Sequence, residues 1–169
     1  MSKRTCFAFS ISTAVSSLLF SQTPDTVFLE ELTWTEVHAA IESGTTTIIV
    51  PTAGTEQNGP HMVLGKHKYR IIAGAERIAR ALGNTLVAPV MTYVPEGDID
   101  PPSGHMRFAG TISIPSDVFI SVLEYTARSL KQHGFINILL IGDSGPNQRP
   151  QEFVANKLSK EWLGDGVKV

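Results

Sequence analysis

TTTIIV at residues 45–50 and INILLI at 136–141 decide the fold class. Both are β-branched or apolar at nearly every position and lack the polar alternation of a strand with one wet face. Strands of this kind are covered on both sides, as at the centre of a parallel sheet flanked by helices. Pro51 and Gly142 follow them and open loops. Outward from these strands the apolar period changes to that of a helix. At 33–43, Thr33 stands three residues before Glu36, the spacing of a capping box, and Trp34, Val37 and Ile41 fall on one face. A second helix is predicted over 69–82, carried by Ile71, Ile72, Ala75, Ile78 and Ala79 and stopped at Gly83. Short strands are expected at 85–89 and 111–114. A third helix runs from 115 to about 133, and a fourth over 151–163. The order helix–strand–helix–strand–strand–helix–strand–helix predicts an α/β fold with a mostly parallel sheet.

The 169 residues carry 14 Lys+Arg against 16 Asp+Glu, a formal charge of −2. That balance excludes the basic footprint of a nucleic-acid binder. With 42% hydrophobic and 18% charged residues, the chain has material for a core and is not globally disordered. A single cysteine, Cys6, excludes an internal disulfide framework and a Cys-rich zinc site. Lys3 and Arg4 precede the uncharged run TCFAFSISTAVSSLLF at 5–20. This reads as a signal peptide over 1–22, too short and too rich in Ser and Thr for a membrane span. The expected mature domain is 23–169, periplasmic or secreted, with no membrane contact after cleavage.

In open α/β sheets ligands sit outside the carboxyl ends of the strands. The loop after 45–50 reads GTEQNGPHMVLGKH (54–67) and holds Glu56, Asn58, His61 and His67. One carboxylate with two imidazoles suits a divalent metal; an ordinary polar loop has the same composition. The loop after 136–141 reads GDSGPN (142–147) and holds Asp143, Ser144 and Asn147. GDSG matches a serine-nucleophile pattern, but the G-x-S-x-G elbow is missing and every residue is also a common turn former. A third loop, PPSGHMRFAG (101–110), holds His105 and Arg107. His38 on a helix face and His133 near a helix end read as structural.

GTEQNGPHMVLGKH resembles the signature loop of the creatininase (creatinine amidohydrolase) family, in outline G-S/T-x-E-Q-H-G-P-H-L-P-L-G-T-D. GHMRFAGTISI is similar to the family's segment ending F-P-G-T-I-S-L. QHGFINILLIGDSGPN is similar to its H-G-F strand leading into N-G-H-G-G-N, and LTWTEV to its opening helix. The matches run in order over about residues 29–169. The resemblance implies a three-layer α-β-α fold, a two-metal hydrolytic site acting on amide, cyclic amide or formamide bonds, and a homo-oligomer. It places Glu56 at the first metal ligand. Asn58 stands where the family has a ligating His, His67 where it has the bridging Asp, and Ser144 where it has the next ligating His. Pro146 replaces a Gly. His61 and His105 match histidines in the family's loops.

A bridging carboxylate offers two oxygens to two cations, whereas a neutral imidazole has one free lone pair. The substitutions therefore predict a remodelled site with one divalent transition metal per chain, zinc by ligand type, held by Glu56, His61, His67 and Asp143. Glu56 and His105 are the expected catalytic pair, and Asn58, Ser144 and Asn147 the expected contacts to a small amide substrate. The family's later H-A-G-x-x-E-T-S-like segment has no counterpart, and GVKV at 166–169 resembles the start of the strand before it, so the domain reads as incomplete at its C-terminus. The alternative is a catalytically inactive relative that binds a small ligand on the same fold.

Overall fold

The computed structural model describes residues 24–169; the expected signal peptide and Cys6 lie outside the described residues. At its centre is β1 (Thr47–Thr52), buried at every residue. It is flanked by β2 (Thr85–Val87) and β3 (Asn137–Gly142), all parallel, in the order β2-β1-β3. Successive side chains of β1 point to opposite faces. Ile48 and Val50 join Leu86 and Ile138 against α3 (Ser116–Gln132) and α4 (Gly145–Glu161), which contribute Phe119, Leu123, Val154 and Leu158. Ile49 and Val87 pack on the other face against Ala75 and Ala79 of α2 (Lys66–Leu82). The result is the three-layer α/β architecture that the unbroken apolar strands require. α1 (Trp34–Glu42) lays Val37 and Ile41 on the α3 side. Its capping box is formed: Glu36 N–H donates to Thr33 Oγ1, and Thr33 N–H to Glu36 Oε2 at 2.7 Å.

Four local expectations are corrected. β1 runs through Pro51, whose carbonyl accepts from Met91 N–H at 3.0 Å. β3 is mostly half-buried, not a sheet centre: beside β1 it meets, among the described residues, only Lys168, bridged in parallel to Asn137. Residues 111–114 form no strand but two bridges, Thr55 with Ile112 and Val94 with Ser113, which tie three loops together. α2 and α4 begin at Lys66 and Gly145, ahead of their apolar periodicity. Pro146 is accommodated in the first turn of α4, where an N–H has no intrahelical partner; Pro150, deeper in the helix, forfeits one backbone bond. These early starts matter for function. They put His67 in the first turn of α2 and Asp143 and Ser144 just ahead of α4, at the carboxyl end of the sheet.

Candidate metal centre

Glu56 is held where the chain leaves β1. Its N–H donates to Leu64 O at 3.2 Å, the neighbouring Thr55 bridges Ile112, and the residue is 5% exposed. Glu96 arrives on a second loop. Its N–H donates to Ser113 Oγ at 2.9 Å, Ser113 Oγ donates to Gly97 O, and its carbonyl accepts from His105 N–H at 2.9 Å. One set of loop bonds therefore fixes both Glu96 and His105. The Glu96 carboxyl fits only because residue 54 is glycine: a Cβ there would stand 2.1 Å from Glu96 Oε1.

Glu56, Glu96 and His105 each offer an atom within 4.8 Å of the others. His105 Nδ1 lies 3.2 Å from Gln57 O and 3.3 Å from Gln57 Nε2, so the backbone and side chain of Gln57 together hold this edge of the ring. Nε2 in turn faces Glu56 Oε2 at 3.4 Å. Both oxygens of Glu96 are buried and meet no N–H or hydroxyl donor. Burial, then the hydrogen bond to Glu56 and its charge, push the Glu96 carboxyl up to about 9. Burial also pushes Glu56 upward, but hydrogen bonds to Glu96 and His67 and the fields of His105 and His67 outweigh it and leave Glu56 below the usual carboxylate range. Without a cation, then, Glu96 holds a proton and shares it with Glu56. A divalent ion would replace that proton, and a set of two carboxylates and one imidazole suits zinc, manganese or a similar first-row ion. The residues present fit one such ion.

His67 reaches the same carboxylate from the other side. Its Nε2 is 2.7 Å from Glu56 Oε1, and its Nδ1 is 2.6 Å from Asp143 Oδ1. Arg70 Nη1 stands 3.2 Å from Asp143 Oδ2 as an ion pair, without hydrogen-bond alignment. The structure therefore brings Glu56, His67, His105 and Asp143 into one connected group. His61 is exposed, its ring against Gly59, and belongs to neither branch of that group. Asn58 is turned to the backbone and to α2: its Nδ2 donates to Glu56 O, and its Oδ1 accepts from Lys66 Nζ. Ser144 is buried as the residue before α4 and makes no capping bond. Asn147 is fully buried and donates to Ala53 O at 3.3 Å, bracing the end of β1. A groove of about 830 Å³ beside Met91, Val118, Val122 and Tyr125 shares no lining residue with this group.

Glu96 was not singled out in the sequence. Its one signal is a carboxylate set between Pro95 and Gly97, in a loop that follows a strand.

The family model of creatininase, described as creatinine amidohydrolase, matches residues 30–168. The chain belongs to the creatininase family. It is 29% identical over 115 residues to the creatinine amidohydrolase of Pseudomonas putida, covering 68% of this chain and 44% of the relative. It is 31% identical over 98 residues to the mycofactocin precursor peptide peptidase of Mycobacterium tuberculosis, covering 53% and 37%. A solved creatinine amidohydrolase (creatininase) superposes with a TM-score of 0.74 at 25% identity, over 85% of this chain and 55% of that one. A manganese form and a zinc–zinc form of creatininase superpose with a TM-score of 0.73. The chain thus spans about half the length of the relatives it matches or less.

Proposed function

We propose that the protein is a metal-dependent amidohydrolase cleaving the C–N bond of an amide, cyclic amide or formamide, with one divalent cation per chain at Glu56, Glu96 and His105. The observation that carries this reading is the buried Glu96, whose two oxygens lack any hydrogen-bond donor beside His105 and the carboxylate of Glu56. A divalent ion bound there supplies Lewis acidity toward a carbonyl oxygen.

The chain's own residues supply the rest. Gln57 orients the His105 ring through its carbonyl and its side-chain amide, so that Nε2 faces the centre. Glu56 Oε1 and His67 Nε2, 2.7 Å apart, can pass a proton between them, and Asp143 holds the far nitrogen of the ring. Met62, Val63 and Phe108 are exposed on the loops that carry Glu56 and His105, and Leu64 packs against Gly110 to join those loops. The names of two relatives, a creatinine amidohydrolase and a precursor peptide peptidase, support the reaction class.

The test is turnover of a panel of creatinine, cyclic amides, formamides and short peptides by the zinc- or manganese-loaded protein. Hydrolysis that requires the metal and disappears in Glu56→Gln supports the reading. Metal binding without turnover on any of them favours the small-ligand-binding relative instead. We further infer export from the basic start and uncharged run at 3–20, checked by the N-terminal residue of protein recovered from the native host.

A further inference from the structure

We propose that His67 and Asp143 form a clamp that positions Glu56 for the cation and do not bind the cation themselves. The inference rests on the metal reading above and assigns parts within that site. An imidazole presents one in-plane position at each ring nitrogen. In His67 both are occupied by carboxylate oxygens, Glu56 Oε1 at 2.7 Å and Asp143 Oδ1 at 2.6 Å. No lone pair of the ring is left to face a metal. Asp143 gives Oδ1 to His67, and its Oδ2 faces Arg70 Nη1 at 3.2 Å. The side chains of His67 and Glu56 are 7% and 6% exposed, so water does not compete for these bonds.

The consequence falls on Glu56. With Oε1 fixed by the imidazole, Oε2 is the oxygen left toward His105 Nε2. Glu56 is then presented in one orientation, and Arg70–Asp143–His67 forms a rod from the first turns of α2 to that carboxylate. Groups that orient a ligand from behind typically change metal affinity by about 10–100-fold when removed, without being ligands. His67 and Asp143 are in this sense positioning residues.

Cobalt(II) loading of the full chain tests the assignment, because imidazoles bound to cobalt show strongly shifted exchangeable proton signals in NMR spectra. One such signal is expected, from Nδ1–H of His105. It should persist in His67→Gln and Asp143→Asn, while the cobalt Kd rises about 10–100-fold in each and partly recovers in Asp143→Glu. Asp143→Asn keeps the side-chain shape, and cooperative thermal unfolding of its metal-free form checks that the fold is intact. Two shifted imidazole signals, one of them lost in His67→Gln, would overturn the clamp and leave the metal reading standing. An unchanged Kd in both variants would also overturn it. Failure of the unsubstituted chain to take up cobalt would defeat the metal reading itself, and the clamp with it.

Discussion

Glu96 is 3% exposed, and a Cβ on Gly54 would lie 2.1 Å from its Oε1, so the two residues must be considered together. Gly54→Ala should displace the carboxyl, cost about 1–3 kcal/mol by overpacking, and weaken zinc binding at least about tenfold. Calorimetric zinc titration beside a melting curve separates the two effects. Glu96 also sets a pH dependence in the metal-free protein. Its carboxyl is pushed up to about 9 in the fold and returns to about 4.3 when the chain unfolds. Below the unfolded value both states hold the proton and nothing is lost. Above it the unfolded chain releases a proton that the folded chain keeps, so stability falls as the pH climbs toward about 9. Glu56 is shifted the other way. Its contribution is present above its unfolded pKa and is lost only as the pH falls below it, outside this range. Melting temperatures in the presence of a chelator, taken between about pH 5 and pH 9, should decline in the unsubstituted chain. They should stay nearly level in Glu96→Gln, which cannot ionise. An equal decline in the variant would show that Glu96 is already ionised in the metal-free fold.

The elements divide into those that local chemistry announces and those that tertiary contacts create. α1 belongs to the first kind: Thr33 and Glu36 form the capping box that their spacing predicts. Thr33→Ala should cost about 1 kcal/mol in chemical denaturation. The packing of α3 on the sheet is the opposite case. Phe119 is fully buried against both, and Phe119→Ala should cost about 3–5 kcal/mol. The same division explains what was legible in the sequence. β1 and β3 and the helices packed on them follow from unbroken apolar runs and from periodicity. The polar first turns of α2 and α4 carry no apolar signal, so their early starts at Lys66 and Gly145 were not visible. Glu56, His67, His105 and Asp143 were legible because their loops leave one end of a parallel sheet. Glu96 was not, because its place depends on bonds to Ser113 and His105 made across the fold. The half-buried state of β3 also escaped, since its composition matches that of the central strand.

Across the whole molecule, apolar surface lies outside the two cores. Trp34 is 78% exposed and Tyr125 70%, and Val118, Val122 and Tyr125 line the groove beside Met91. β3 has, among the described residues, only Lys168 beside β1 as a strand neighbour. Unpaired strand groups and apolar patches favour association. Sedimentation of residues 24–169 should therefore show species heavier than one chain at micromolar concentration; a sharp monomer across that range would oppose the expectation of a homo-oligomer. The central claim is different and independent of assembly: one cation per chain, held by Glu56, Glu96 and His105. Its most direct measurement is the metal content of untagged protein after zinc loading and exhaustive dialysis. The account predicts close to one equivalent of zinc per chain, lost in Glu96→Gln and retained in His61→Ala. Two equivalents per chain, or one that survives Glu96→Gln unchanged, would contradict it.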